Sequence, residues 1–316
     1  MAFNWQIFKT RTLTAIVFAV VMITGLLLNH WSFLILFSII HFGCWWEYLN
    51  LGEKIYSVRY HPYCKLGFML IGYGIILWSC NSIYQINNYS IRDNLSLPVS
   101  AAGFALLIIG IFGKNRIRLK AFGFAALGLL YISFSWGMLV SLYNYEIGTG
   151  IEMWYLDGRH KTVWNYVYVF NQPFTIPLLI IVAIWINDTM AYIVGSLIGK
   201  TPLSKISPKK TWEGTIGGML LSVLVTGLIF STFTSSLVHP QFYDSFSNVH
   251  WFAIAAIAAV AGTFGDLLES KLKRMAAVKD SGTFMPGHGG FLDRFDSLLV
   301  ATFFVFLYIA FIEVIS

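Results

Sequence analysis

The feature that most constrains this chain is a row of nine apolar stretches. They cover approximately residues 12–28, 31–49, 66–82, 97–113, 121–142, 174–197, 214–235, 250–268 and 295–315. A bilayer span needs about 20 such residues, with a range of roughly 17–25. Inside hydrocarbon every backbone N–H and C=O must pair within its own segment, so these stretches are expected to be helices. Composition agrees: 57% of the 316 residues are apolar and 11% are charged, against about 25% charged in an ordinary soluble protein. Disorder needs the opposite balance, and a soluble fold needs more polar surface than this chain has. The expected class is an all-α, polytopic integral membrane protein of about nine transmembrane helices.

The loops between the stretches orient the chain. Of its 21 basic residues, 18 fall in the N-terminus and the 50–65, 114–120, 198–213 and 269–294 loops. Arg92, Arg159 and Lys161 alone fall in the opposite set. By the positive-inside rule the N-terminus is cytoplasmic and the C-terminus outside. The same rule accounts for the net charge of +6, so no nucleic-acid partner is implied. The first stretch follows Lys9 and Arg11, as a signal peptide would. It lacks a small-residue cleavage site and the next span starts at once, so it reads as a retained helix. Cys44, Cys64 and Cys80 contain no C-x-x-C pair and suggest neither a disulfide framework nor a zinc site. One membrane domain, 1–316, is expected, with an N-terminal helical bundle over 1–142 and a second helical part over 174–316. The loop between them, 143–173, holds Trp154, Tyr155, Trp164 and Tyr166 and reads as an interfacial aromatic belt.

Acids inside spans cost about 2.5–3.5 kcal/mol at the helix centre on insertion scales, so each is a functional candidate. Glu47 and Glu313 lie near span ends and are discounted. Asp188 lies near the middle of the sixth span, beside Asn187. At the end of the eighth, Asp266, Glu269, Ser270 and Lys273 follow i, i+3, i+4, i+7 spacing on one helix face, and Gly262 one turn earlier leaves room for a ligand. Arg274 closes that run. The loop after it packs Gly282, Pro286, Gly287, Gly289 and Gly290 around His288, a bare backbone able to turn N–H groups toward an anion. Asp293 and Asp296 then open the ninth span, with Arg294 between them. Before the seventh span, Ser207 and Pro208 form an N-cap and first-turn pair. Lys209 and Lys210 would then sit in the first turn, where the helix dipole disfavours cations unless an anion binds. The run Gly195 to Thr201 is one residue short of a P-loop and ends a helix, so Gly195 and Gly199 read as close helix contact.

By the topology above, every candidate except Asp188 lies at a cytoplasmic end. Carboxylates beside Lys, Arg and a glycine-rich anion loop point to Mg²⁺-assisted chemistry on phosphates, and their placement in a membrane points to a lipid substrate. At this level of reading an ion-coupled transporter using Asp188 is the alternative from another class. It predicts a midplane site between repeated halves, and no repeat is found.

The run Ser270, Lys273-Arg274, Lys279-Asp280 and Pro286-Gly287-His288-Gly289-Gly290-Phe291-Leu292-Asp293-Arg294-Phe295-Asp296 resembles the signature of the phosphatidate cytidylyltransferases, or CDP-diacylglycerol synthases. Asn187-Asp188, the run Ser207 to Gly214, and Gly265-Asp266 look like the same family. The firm resemblance covers about residues 185–297, with Met285 where the family has Ile or Leu. It implies the reaction of CTP with phosphatidate to give CDP-diacylglycerol and pyrophosphate, in phospholipid biosynthesis. It implies Asp266 and Asp293 as Mg²⁺ ligands, with Asp296 and Asp188 behind them and room for a second metal. Lys209, Lys210, Lys273, Arg274 and Arg294 would hold phosphates, with Ser207 beside them. Gly287, Gly289 and Gly290 would close on CTP, and His288 would hydrogen-bond a phosphate or the leaving pyrophosphate. Among these, Asp266, Asp293, Lys210 and His288 are the expected catalytic set. The implied setting is the inner membrane with a cytoplasmic-facing site, the lipid bilayer as partner, and room for a homodimer. A CTP-dependent polyprenol or phytol kinase is the second enzyme reading.

Overall fold

The computed structural model describes residues 5–113, 118–143, 145, 149–150, 155–157, 161–163, 173–237, 243–244, 248–284 and 289–315. Its helices are α1 (Trp5–Leu27), α2 (His30–Tyr56), α3 (Pro62–Trp78), α4 (Ile91–Ile111), α5 (Leu119–Gly128), α6 (Ser135–Tyr143), α7 (Thr175–Ile198), α8 (Trp212–Leu237), α9 (Asn248–Met275) and α10 (Leu292–Ile315). A π-helical segment, Leu129–Phe134, fuses α5 to α6. Each of the nine apolar stretches falls for most of its length on one of these helices or on the fused one, with 66–82 outrunning α3 at Trp78. Among the described residues seven helices are long and apolar enough to cross a membrane, and Thr12–Leu27 and Pro62–Trp78 are shorter apolar helices. The chain is an all-α, multi-pass membrane protein.

Local chemistry sets the breaks. Asn29 caps α2: its side chain accepts from Ser32 N at 2.8 Å, and Ser32 Oγ accepts from Asn29 N at 3.1 Å, a reciprocal capping box. The second helix then runs on to Tyr56, past the expected 49. Its polar end is satisfied by Glu53, which accepts from Tyr60 N at 2.8 Å and pairs with Lys65 at 3.0 Å. Pro62 opens α3 at a position where its missing N–H costs nothing. The π segment coincides with Ser133, whose buried hydroxyl accepts from Trp45 Nε1 at 2.8 Å and lies 3.0 Å from His41 Nε2.

The sequence patterns announced no strand, and the structure adds short ones. Gln85–Ile86 and Tyr89–Ser90 pair antiparallel around Asn87 and Asn88, both left-handed at φ 47° and 65°, a geometry asparagine tolerates. Thr149–Gly150 pairs with Tyr243–Asp244, and Tyr155–Asp157 with Lys161–Val163. Of the expected aromatic belt, Tyr155 begins the latter pair, while Trp154, Trp164 and Tyr166 lie outside the described residues.

Packing draws on small residues, as expected where lipid removes the hydrophobic drive between helices. A Cβ built on Gly67 would lie 2.8 Å from Gly103 O, which is why α3 and α4 pack backbone to backbone. Likewise a Cβ on Gly214 would lie 2.6 Å from Ala191 O and 2.8 Å from Gly195 Cα, so Gly195 does mark close helix contact between α7 and α8. Gly265 brings α9 within 2.5 Å of Asp296 O on the same measure. Helices α7 to α10 thus form one unit. Trp136 of α6 packs on Phe295 of α10, ring centroids 5.6 Å apart, and buried residues from Met22 to Ile309 form a single apolar core.

Candidate active site

A cavity of about 630 Å³ opens among α1, α7, α9, α10 and the turn before α8. Its polar wall carries Asp188 of α7, Asp266 of α9, Asp293, Arg294 and Asp296 of α10, and Ser207, Lys209 and Lys210 of the turn. Its apolar wall includes Phe18 and Met22 of α1 and Ile181 and Ile184 of α7. Residues separated by more than a hundred positions in sequence meet here because Gly214 and Gly265 let α8 and α10 approach their neighbours.

The lysine turn differs from its sequence-based expectation. Ser207 and Pro208 do not start the helix; α8 starts at Trp212, and Thr211 Oγ1 accepts from Gly214 N at 3.2 Å as its cap. Ser207 to Lys210 form a β-turn closed by Lys210 N donating to Ser207 O at 3.1 Å. Proline presets the second position of such a turn, and this competes with a helical start. Glu213, in the first turn of α8, accepts from Thr201 N at 3.1 Å and Thr201 Oγ1 at 2.8 Å, and so fixes the loop from which Lys209 and Lys210 project. Lys210 is ion-paired with Asp266.

Gly262, expected to make room for a ligand, instead makes room for a helix crossing. A Cβ there would meet Ile184 Cγ1 at 3.3 Å and Ser297 Cβ at 3.6 Å.

The profile of the "Cytidylyltransferase family" matches residues 9–312 of this sequence. This chain belongs to the cytidylyltransferase family. It is 32% identical over 295 residues to a phosphatidate cytidylyltransferase of Staphylococcus saprophyticus, covering 92% of this chain and 95% of that one. It is 31% identical to the phosphatidate cytidylyltransferase of Haemophilus influenzae over 95% and 98% of the two chains. The Bacillus subtilis phosphatidate cytidylyltransferase is 30% identical over 96% and 97%. The family match therefore extends well beyond the 185–297 motif region.

Within this cytidylyltransferase the acids divide into two groups. Asp188, Asp266 and Asp296 face the cavity. Asp266 Oδ2 is a buried oxygen that the Lys210 ammonium meets in an ion pair. Asp296 is buried, and its Oδ1 accepts from its neighbour Ser297 N, at 2.6 Å. Asp293 also lines the cavity, but four donor groups lie within hydrogen-bond distance of its two oxygens. Lys273 Nζ binds Oδ1 at 2.7 Å; Ser281 N at 2.8 Å, Ser281 Oγ at 2.9 Å and Gly290 N at 2.8 Å bind Oδ2. Lys273 in turn is ion-paired with Glu269, whose side chain is fully buried. Lys273 is thus the centre of an ion triad rather than a wall of the cavity. Arg274 points to the turn loop, with Nε 3.5 Å from Ile206 O.

The glycine run shows a similar pattern. The N–H groups of Gly290, Phe291 and Leu292, at the start of α10, are taken by carboxylates of the chain itself: Asp293 for the first and Glu47 for the others. Gly289 adopts φ +85°, where L side chains are strained. Gly287 and His288 lie outside the described residues. Glu47, discounted from sequence as able to reach the interface, is 6% exposed and buried against this loop.

Proposed function

We propose that this chain is a phosphatidate cytidylyltransferase, joining CTP and phosphatidate to give CDP-diacylglycerol and pyrophosphate. The site would open to the cytoplasmic face of the inner membrane, the side favoured by the basic loops. The observation that carries this reading is the convergence, in one cavity, of acids from three helices with Lys209, Lys210 and Arg294, opposite a wall of apolar side chains. The relatives' names supply the substrate pair.

In the transfer, an oxygen of the phosphatidate phosphate forms a bond to the α-phosphorus of CTP. The bridging bond from that phosphorus to the β-phosphate oxygen breaks, and pyrophosphate leaves with the electron pair. No side-chain nucleophile is required; orientation and charge neutralisation supply the rate. Lys209 and Lys210 would meet one substrate's phosphates from the turn, and Arg294 from α10. The apolar wall would receive the glycerolipid end.

The donor set suits Mg²⁺. Among the described residues no three His, Cys, Asp or Glu side chains form a ready ligand group. Mg²⁺ in phosphate chemistry usually takes one or two carboxylates, with water and substrate phosphate completing the shell. Asp266 would supply such an oxygen by exchanging its ion pair with Lys210, with Asp296 and Asp188 alongside it in the cavity wall. Asp293 would join by exchanging its bond from Lys273. When bound, the ion would neutralise negative charge developing on the transferred and leaving phosphates.

The test is detergent-solubilised protein with phosphatidate and CTP labelled at either the α- or the γ-phosphorus. Label from the α position should enter the lipid and label from the γ position should leave as pyrophosphate. Transfer of γ-label to a lipid acceptor would make the protein a kinase instead. No labelled lipid from either CTP would remove the reading.

A further inference from the structure

We propose that Glu47, on α2 of the N-terminal bundle, is the positioning residue that fixes the glycine-rich loop and the start of α10 in the active site. One carboxylate ties both ends of the loop. Glu47 Oε2 accepts from Ser281 Oγ at 2.7 Å, where the loop begins. The same oxygen accepts from Leu292 N at 2.9 Å, and Oε1 accepts from Phe291 N at 2.9 Å, where it ends.

The surroundings are shaped to this contact. A Cβ on either Gly282 or Gly290 would collide with the Glu47 carboxylate, so two of the run's glycines are required by the approach of Glu47. One turn earlier on α2, Gly43 leaves a slot for the Phe291 ring, where any Cβ would overlap it. Phe291 also stacks on Phe284 from within the loop, ring centroids 4.0 Å apart. The first N–H groups of a helix have no partner within it. Here a carboxylate more than 240 residues away in sequence caps those of α10, and the favourable end of the helix dipole faces it.

The consequence reaches the reacting groups through Ser281. Its hydroxyl lies within hydrogen-bond distance of both Glu47 Oε2 and Asp293 Oδ2. It has one proton, so it serves one of the two carboxylates at a time. Glu47 thereby sets where Asp293 sits, and with it Arg294, the next residue along α10. Glu47 does not line the cavity, so it acts through the loop and not on substrate.

Glu47→Gln keeps the size but turns an amide NH₂ toward backbone N–H donors, so at least one of the three contacts is lost. Amide hydrogen exchange on the full-length protein in detergent reads this without substrate. Exchange at residues 281–284 and 289–292 should rise at least tenfold in Glu47→Gln, with α3 and α4 unchanged. Unchanged exchange over 281–292 would overturn the proposal. The kinetic arm rests on the cytidylyltransferase reading. There, KM for CTP should rise at least tenfold while KM for phosphatidate moves less than threefold. Equal rises in both, or a fall in kcat alone, would mean that Glu47 only supports the fold. Ser281→Ala, which removes one donor and leaves the backbone contacts, should raise KM for CTP about fivefold, as expected for one lost hydrogen bond; no rise would count against the latch. Glu47→Asp keeps the charge and should lie between wild type and Glu47→Gln. If wild type itself makes no nucleotide-lipid, the assigned reaction fails while the exchange result still decides the role of Glu47.

Discussion

Lys210 and Asp266 form an ion pair that joins the turn before α8 to the cytidylyltransferase motif on α9. In this pairing the ammonium lies against Asp266 Oδ2, a buried oxygen at the cavity. A cation is thus held against a cavity carboxylate where the proposed phosphate chemistry would take place. In that proposal Lys210 would change partner when a triphosphate or a metal enters.

The lysine pair gives the first prediction. If Lys209 and Lys210 neutralise substrate phosphate, replacing both with Gln should lower kcat/KM by about 10²–10⁴, from roughly 1.5–3 kcal/mol per charged hydrogen bond. Replacing Arg116 and Arg118 with Gln is the control. Arg118 donates to Tyr56 O, at 3.4 Å, and Arg116 lies outside the described residues. That double variant should lose less than threefold. Equal losses at equal membrane levels would reduce Lys209 and Lys210 to topological charges.

The carboxylates should separate by kind. Asp266→Asn removes a charge from a side chain that is 27% exposed at the cavity. The fold should survive while activity falls by orders of magnitude and the Mg²⁺ needed for half-maximal rate rises. Asp293→Asn instead places an amide among donors from Lys273, Ser281 and Gly290. Leaving buried donors unmatched costs about 1–3 kcal/mol, so this variant should also melt earlier. Were Asp293 merely an N-cap, Asn would serve about as well, and both its melting temperature and its turnover would stay near wild type.

Much of this site was readable from sequence, because its carriers are local. Asp266, Lys273 and Arg274 fall within two turns of α9, and Asp293, Arg294 and Asp296 within one turn of α10, so helical spacing groups them before any fold is known. The nine apolar stretches were readable for a similar reason: length and hydrophobicity are local quantities. What escaped depends on long-range geometry. Glu47 carries no motif, and only the folded chain brings its carboxylate to Phe291 N. The capping of α8 escaped because Ser207-Pro208 and Thr211 are both plausible starts, and the closed turn at Lys210 decides between them. The expectation that Lys273 holds phosphate comes from the family resemblance and from its place on the Asp266 face of the helix. Burial beside Glu269 and Asp293 occupies that charge.

Orientation yields a third prediction. By the positive-inside rule, the division of basic residues, 18 against 3 among the loops, predicts a cytoplasmic 114–120 loop and an outside C-terminus. A cysteine at 115 should resist a membrane-impermeant thiol reagent in intact cells, and one appended after Ser316 should react. The reverse labelling would put the cavity acids on the side away from CTP.

The ion triad gives the last prediction. Glu269 is fully buried, and among the described residues Lys273 is its ion-pair partner. Lys273 also holds Asp293 at 2.7 Å. Removing one member of a buried pair leaves an uncompensated charge, at a cost of about 3–5 kcal/mol. Lys273→Met should therefore lower the melting temperature in detergent more than any single change at the cavity wall. Adding Glu269→Leu removes the stranded carboxylate, and similar-volume apolar replacement of a buried pair is often neutral. The double variant should recover at least half of the lost stability. It should not recover activity, because Asp293 still lacks the ammonium that positions it beside Arg294. Recovery of both would mean that the triad serves stability alone. A Lys273→Met protein that melts like wild type would mean that the Glu269 charge is not carried in the folded state.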